Sequence, residues 1–177
     1  RPEGSDEEID IAWPRTERAG GSGGYKDFEV QSDPDLSVED DLARRDYTMN
    51  AIAWDTRLQR FIDPFNGRGD LDKKTIKAVG DPVERFGEDY SRMLRGLRFA
   101  CQLGFEVEEK TWEAIKRLMP HLDDLRPKPD APGETEHVVP RETISKEWIK
   151  AMKSDPVKCL ELYEKCGALF RLVPELA

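Results

Sequence analysis

The fold of the second half of the chain follows from one segment, Glu88-Asp89-Tyr90-Ser91-Arg92-Met93-Leu94-Arg95-Gly96-Leu97-Arg98-Phe99-Ala100. On a helical wheel its aliphatic residues share one face with the next residue, Cys101, whereas its three arginines lie across the opposite face. The pattern predicts an amphipathic helix with one packed face and one cationic face. Taken alone, the arginines indicate a solvated charged face, because most amphipathic helices carry one.

The rest of the chain divides on either side of this helix. Helical periodicity runs from Asp81 onward, where no strand longer than residues 106–107 is expected. The first half shows a helix that Ser37 would cap and that runs to about Arg44. It also shows short apolar segments typical of strands, at residues 8–13, 28–31, 48–54 and 60–62, the last two forming a hairpin. We therefore expect an α+β fold, strand-rich at first and helical afterwards.

The charge of the whole chain argues against nonspecific attraction to polyanions. Its 37 acidic and 28 basic residues give a formal net charge of −9, so a nucleic acid or an anionic membrane must meet a local basic patch. The three cysteines form no C-x-x-C pair, which favours buried free thiols over a disulfide framework or a zinc site. No apolar run reaches the roughly 18 residues of a membrane span and no leader is evident, so we expect a cytoplasmic protein without a membrane partner.

A second group of polar residues lies where the first helix gives way to a strand. Arg44, Arg45, Asp46 and Asn50 fall within seven consecutive positions. Guanidinium groups bind phosphate oxygens bidentately, and an Asp or Asn can hold ribose hydroxyls, so this composition suits a nucleoside triphosphate. An Arg–Asp pair that caps the end of a helix explains the same residues equally well.

Three segments in order carry a resemblance to a known family. They are Arg44-Arg45-Asp46-Tyr47-Thr48-Met49-Asn50-Ala51, Asp63-Pro64-Phe65-Asn66-Gly67-Arg68-Gly69-Asp70-Leu71 and Glu88-Asp89-Tyr90-Ser91-Arg92-Met93-Leu94-Arg95. Together they resemble successive motifs of the class II tRNA nucleotidyltransferases, which comprise the bacterial CCA-adding enzymes and the related poly(A) polymerases. Residues 14–18 and 142–176 also look like family sequence. Three ordered motifs are far more specific than any one of them.

The resemblance implies a fold and a division into domains. It implies a partial nucleotidyltransferase palm, a mixed sheet with helices, followed by an all-α neck and body. Residues 1–72 would form the C-terminal part of the head, and residues 73–177 the helical neck and the start of the body. The Pro-rich segment 126–139 is expected to be a linker or long exposed loop. Gly69 and Asp70 would form a hinge between head and neck, although a plain structural turn accounts for them as well.

The resemblance also assigns roles to the polar residues. Asp89 and Arg92 match the acid and arginine that select the incoming base in place of a nucleic-acid template. A carboxylate accepts the exocyclic amine of C or A and a guanidinium donates to the neighbouring ring nitrogen, whereas U and G present the reverse pattern there. The first cluster, Arg44, Arg45, Asp46 and Asn50, would face ribose and triphosphate. Arg95 and Arg98 would support the pocket or reach phosphate.

The sequence departs from the family at the metal site. In the family, an Asp-x-Asp pair that follows a Gly-Gly-x-Val-Arg-Asp loop holds two Mg²⁺ ions, and neither motif occurs in these 177 residues. No complete metal site is therefore expected in this chain, which we interpret as a fragment. Asp10 falls where many members carry an additional carboxylate, so it is a candidate accessory catalytic acid. Tyr90-Ser91 stands where the family usually has Pro-Leu.

The expected function is template-independent addition of CMP and AMP to the 3′ end of tRNA, with CTP and ATP as substrates and Mg²⁺ as cofactor of the full enzyme. A poly(A) polymerase or an enzyme that adds only CC or A remains an alternative, because these enzymes share the motifs. A different class of function is also open. The chain would then be a non-catalytic nucleotide- or RNA-binding module, or one half of a split enzyme whose partner supplies the Asp-x-Asp pair.

Overall fold

The computed structural model describes residues 14–19, 23–24, 28–32, 35–128, 131 and 133–176. The strands of this part are β1 (Arg15–Ala19), β2 (Phe28–Ser32), β3 (Ala53–Asp55), β4 (Arg60–Ile62), β5 (Thr75–Ile76), β6 (Glu106–Val107), β7 (Leu125–Pro127) and β8 (Thr135–His137). The helices are α1 (Val38–Ala43), α2 (Gly67–Asp72), α3 (Pro82–Glu88), α4 (Ser91–Leu103), α5 (Glu109–Leu118), α6 (Arg141–Ser154), α7 (Pro156–Lys165) and α8 (Leu169–Leu172). The predicted α+β class is confirmed. The strand expected at 8–13 lies outside the described residues.

The strands pair two by two in the described part of the chain. β1–β2, β3–β4 and β7–β8 are antiparallel, whereas β5 and β6 are parallel, with Thr75 opposite Glu106. A parallel pair needs a long crossover. Here α3 and α4 supply it, so the pairing of β5 with β6 fixes where the chain enters and leaves these two helices.

The start of α1 agrees with the sequence, but the segment after it does not. The Ser37 hydroxyl accepts the backbone N–H of Asp40 at 3.1 Å, as predicted for an N-cap. Residues 48–54 were expected to be one strand, yet Thr48–Asn50 forms a 3₁₀ turn and β3 begins at Ala53. Two hydrogen bonds account for the turn. The N–H of Asn50 donates to the Tyr47 carbonyl, and the Thr48 hydroxyl donates to the buried Asp70 carboxylate at 2.8 Å.

The Pro-rich segment is a hairpin rather than a linker or exposed loop. β7 pairs with β8 from Leu125 opposite His137 to Pro127 opposite Thr135, so strands longer than β6 do occur in the second half. Val138 and Val139 follow β8 and are buried. Burial of these two valines stabilises the hairpin. The high content of proline and charged residues around them gives no sign of this burial in the sequence.

One core cluster joins the residues before and after position 72. It contains the apolar face predicted for α4 and residues of α5, α6 and α7, together with Tyr47, which precedes β3. Its buried α4 members are Met93, Leu94, Leu97, Ala100 and Cys101. All three cysteines are buried free thiols, as expected. Within the described ranges no helix is both long and apolar enough to cross a membrane.

Candidate functional site

The arginines of α4 do not form the solvated face that the sequence suggested. Arg92 and Arg98 are 6% and 8% exposed, and the side chain of Arg95 is 39% exposed. Carboxylates from other parts of the chain cover them, because buried cations require such partners. The alternative of a solvated cationic face, which the helix taken alone indicates, therefore does not hold for Arg92 and Arg98.

Arg92 lies in a network that links α3, α4 and the end of α1. Its Nη1 donates to the Glu88 carboxylate at 2.5 Å and to the Arg85 carbonyl at 3.0 Å. Its Nη2 approaches the Arg44 carbonyl at 3.4 Å. The guanidinium predicted to select the base is thus held beside the backbone of the predicted phosphate-binding segment.

Asp89 lies at the junction of α3 and α4, one helical turn before Arg92. Its Oδ1 accepts the backbone N–H of Ser91 at 2.8 Å, which satisfies one of the amide groups at the start of α4. The side chain is buried, and this burial raises the pKa of the Asp89 carboxyl. Asp89 and Arg92 are therefore neighbours in a place from which water is largely excluded.

Asp46 connects the first cluster to α4. Its Oδ2 accepts Arg95 Nε at 2.7 Å, and its Oδ1 accepts Asn50 Nδ2 at 3.1 Å and the N–H of Tyr47 at 2.9 Å. Burial opposes the charge of Arg95, but the adjacent Asp46 carboxylate outweighs it and raises the pKa of Arg95. The structure thus brings together Asp46, Asn50 and Arg95, which the sequence placed in two separate clusters.

Arg44 and Arg45 share one acidic partner that the sequence analysis did not single out. The Asp41 carboxylate accepts Arg44 Nη2 at 2.7 Å and Arg45 Nη2 at 3.2 Å. Arg45 also donates to the Asn50 carbonyl, and its side chain is 43% exposed. Arg44 therefore fits the alternative of an Arg–Asp pair at a helix end, while Arg45 keeps a surface position beside Asn50.

Arg98 is placed away from this group of contacts. Its Nε donates to Glu147 of α6 at 2.5 Å and its Nη1 to Gln102 at 2.6 Å, while its guanidinium lies 4.0 Å from the centroid of the Phe99 ring. The side chains of Arg98 and Glu147 are each 10% exposed. In the structure Arg98 thus ties α4 to α6.

The segment predicted as a hinge forms α2. The Asp63 carboxylate accepts the N–H groups of Gly67 and Arg68 at the start of this helix, at 2.6 and 2.9 Å. Asp70 is buried and bonded to Thr48, and Gly69 lies against the Asn66 side chain. Asp10 lies outside the described residues.

Tyr90, where the family usually has proline, connects three parts of the chain. Its N–H donates to the Gly23 carbonyl at 3.0 Å, and a Cβ at Gly23 would overlap the Tyr90 ring. The same ring stacks on His121 with centroids 5.1 Å apart. The residue therefore packs between Gly23 and the turn that follows α5.

Several residues of the network were missed by the sequence analysis. Spacing could have revealed some of them, because Asp41 precedes Arg44 and Arg45 by three and four positions and Glu88 precedes Arg92 by four. Glu147 is 49 positions from Arg98 and has no such signal. The missed residues are Asp41, Tyr47, Arg85, Glu88 and Glu147.

A metal site is not found in the part of the chain that the structure describes. No three His, Cys, Asp or Glu side chains converge there in a way that could hold an ion. The carboxylates of the site are engaged by arginines and backbone amides instead, so these residues do not fit the Mg²⁺ that the resemblance implies.

Comparison with known proteins shows what the sequence and the fold of this chain are similar to. Residues 3–77 match the poly(A) polymerase head domain family. Over 94% of its length the chain is 40% identical to the multifunctional CCA protein of Laribacter hongkongensis, covering 37% of that protein. Residues 3–77 thus belong to the poly(A) polymerase head domain family, and the chain as a whole is similar to a CCA protein, of whose length it spans little more than a third.

Solved structures show the same similarity. The chain is similar to the Bacillus stearothermophilus CCA-adding enzyme in complex with CTP, with a TM-score of 0.65 and 34% identity over 78% of this chain and 31% of that one. It is also similar to a tRNA nucleotidyltransferase complexed with a primer tRNA and an incoming ATP analog, with a TM-score of 0.64 and 32% identity over 81% of this chain and 39% of that one.

Proposed function

We propose that this chain is the nucleotide-selecting part of a tRNA nucleotidyltransferase that adds CMP and AMP to the 3′ end of tRNA. The observation that carries the proposal is the joining of the first and third motif segments at the N-terminal half of α4. Arg95 bonds Asp46 there, and Arg92 contacts the Arg44 carbonyl. The similar solved structures support the same reaction and partners, because one is a complex with CTP and the other a complex with a primer tRNA and an ATP analog.

The burial of Asp89 and Arg92 supports a role in base selection. An Asp89 carboxylate accepts the exocyclic amine of cytosine or adenine, and Arg92 donates to the adjacent ring nitrogen. Uracil and guanine would set acceptor against acceptor and donor against donor. Because both side chains are at most 8% exposed, water could not repair such a mismatch, so the wrong bases are rejected.

The residues around this pair are proposed to hold the rest of the nucleotide. Arg45, Asn50 and Arg95 lie at the surface of the network and would contact ribose and triphosphate, with Asp46 positioning the last two and Arg44 completing the cluster. The Arg98 side chain would act through its bond to α6. We propose CTP and ATP as substrates.

The domain division and the catalytic acids belong to the same proposal. The match of residues 3–77 to a head domain supports a head over 1–72 and a neck and body start over 73–177, with Gly69 and Asp70 next to the boundary. Mg²⁺ would be held by an Asp-x-Asp pair that these 177 residues lack, and Asp10 would be an accessory carboxylate. A cytoplasmic location is part of the same proposal.

Incorporation of labelled nucleotide into a tRNA that lacks its 3′ CCA tests the reaction, with each of the four triphosphates, Mg²⁺ and this chain. Addition of C followed by A supports CCA addition, a long A tract indicates a poly(A) polymerase, and C or A alone indicates a partial enzyme. Asp89→Ala and Arg92→Ala should abolish the base preference. Arg126→Gln is the matched control, because Arg126 forms its ion pair with Glu136 in the β7–β8 hairpin.

A second candidate function rests on the missing metal-binding group in the described residues. The chain would then bind nucleotides without transferring them, alone or as half of a split enzyme. Equilibrium binding of CTP and ATP in preference to UTP and GTP, without incorporation, would support this candidate. Absence of both incorporation and preference would contradict both functions.

A further inference from the structure

The side chain of Arg85 in α3 is bonded to four groups of the site, although Arg85 is not among the residues assigned to nucleotide binding. Its side chain is 15% exposed. Nη2 donates to the Ala43 carbonyl at 2.7 Å, Nη1 donates to the Glu88 carboxylate at 2.8 Å, and Nη1 and Nε approach the carbonyls of Arg44 and Val79 at 3.3 Å. One planar group therefore reaches three carbonyls in two separate parts of the backbone, and one acid.

The first consequence concerns the end of α1. Ala43 and Arg44 are the last helical residue and the C-cap of α1, and the carbonyls at a helix C-terminus lack partners within the helix and carry partial negative charge. Arg85 supplies donors and positive charge at that point. It thereby fixes the backbone from which the side chains of Arg44 and Arg45 extend.

The second consequence concerns Arg92. The same oxygen of Glu88, Oε2, accepts from both Arg85 and Arg92, and the Arg85 carbonyl accepts from Arg92 Nη1. Two guanidinium groups are thus held on one carboxylate, which offsets their mutual repulsion. If the Arg85 side chain were replaced, the Glu88 carboxylate would lose one of the two guanidinium groups that hold it, so the carboxylate that orients Arg92 would itself be less constrained.

From these contacts we infer that Arg85 is a positioning residue for base selection. It sets the Arg92 guanidinium through Glu88 and sets the phosphate-binding segment through the carbonyls at the end of α1. One side chain thereby positions both the arginine proposed to select the base and the segment proposed to bind the triphosphate. This inference rests on the proposed function, since it explains how Arg92 is held in the pair with Asp89 that is proposed to select the base.

The test is equilibrium binding of CTP and UTP to the 177-residue chain and to its Arg85→Gln and Arg85→Lys variants, with urea unfolding of each protein alongside. We expect Arg85→Gln to reduce the ratio of CTP to UTP affinity by about tenfold, since the Glu88 carboxylate that orients Arg92 is then less firmly held. Arg85→Lys keeps the charge but not the planar fork, so it should restore part of the ratio. The matched control is Arg126→Gln, which removes another half-buried arginine and should keep the ratio of the wild type.

A purely structural role would lower the unfolding midpoint without moving this ratio. A folded Arg85→Gln variant with the wild-type ratio would therefore overturn the inference. If Arg85→Gln does not fold, Arg85→Lys decides in the same way, because a wild-type ratio in that folded variant would overturn it as well. A wild-type chain that binds CTP and UTP equally would instead overturn the proposed function, and the inference with it.

Discussion

The hydroxyl of Tyr47 donates a hydrogen bond of 2.8 Å to the backbone carbonyl of Arg92, 45 positions later in the chain. Both groups are buried, and the Tyr47 ring lies directly against Gly96 of α4. A backbone carbonyl inside a helix already accepts one intrahelical bond, so the second bond from Tyr47 anchors α4 rather than building it. The first motif segment is thus fixed to the helix that carries Arg92.

The contact between Tyr47 and Gly96 predicts a dependence between the two positions. A Cβ at residue 96 would overlap the Tyr47 hydroxyl, so Gly96→Ala should lower the free energy of unfolding by about 1–3 kcal/mol. In a Tyr47→Phe background the same substitution should cost less, because the overlapping oxygen is gone. Urea unfolding of the four proteins of this cycle measures the coupling, and strictly additive effects would contradict the close contact.

The Asp46 carboxylate predicts a large effect of a single truncation. Asp46→Ala would leave the partly exposed Arg95 and Asn50 and the buried N–H of Tyr47 without their acceptor, and should cost about 2 kcal/mol of unfolding free energy. Asp123 is the control, since its ion pairs with Arg141 and Arg171 are exposed. Its replacement by Ala should cost less than about 1 kcal/mol, measured in the same urea titrations.

The buried carboxyl of Asp89 predicts a pH dependence with a defined sign. Burial raises its pKa in the folded state, so the folded chain binds the proton more tightly than the unfolded chain does. The stabilisation from this proton is present below the ordinary Asp pKa and is lost as the pH rises through the raised value. Asp89→Asn should therefore be more stable than the wild type at neutral pH, and this advantage should vanish in acid.

The measurement is the urea midpoint of both proteins at about pH 4 and about pH 7. Asn keeps an oxygen that can accept the N–H of Ser91, so it preserves the hydrogen bond while removing the charge. A stability difference that does not change with pH would show that the Asp89 carboxyl is not destabilised by its surroundings.

The ion pair of Arg98 and Glu147 predicts that its two members depend on each other. Glu147→Leu leaves the Arg98 cation nearly buried without its carboxylate and should cost about 3 kcal/mol. Adding Arg98→Met should recover most of this loss, because an apolar pair replaces two desolvated charges. Thermal or urea unfolding of the single and double variants tests this, and a double variant as unstable as Glu147→Leu would contradict it.

The local features of the fold could be read from the sequence, whereas the long-range ones could not. The Ser37 cap, the packed face of α4 and the buried cysteines depend on neighbours within a few positions, and all are confirmed. The β7–β8 hairpin is followed by the buried Val138 and Val139, and Val139 belongs to the core cluster that contains residues of helices far away in the chain. Composition alone made that segment resemble a linker.

The site shows the same division. The residue types of the first cluster and of α4 were visible in the sequence, but their pairing was not, because Asp46 and Arg95 are 49 positions apart. The solvated face that α4 taken alone indicates does not hold for Arg92 and Arg98 for a related reason, since Glu88 and Glu147 cover arginines that a helical wheel places in water. A wheel describes one helix and contains no information about the elements packed on it.

The anchoring of Tyr47 in the main core has an entropic consequence. A loop that must be ordered when a ligand arrives loses conformational freedom at that moment and weakens binding accordingly. Here the chain from Arg44 to Asn50 is already immobilised by the interior of the protein, through Tyr47 and Asp46. A ligand at this site would need to restrict only long surface side chains such as Arg45 and Arg95, so most of the ordering is completed during folding rather than at each encounter.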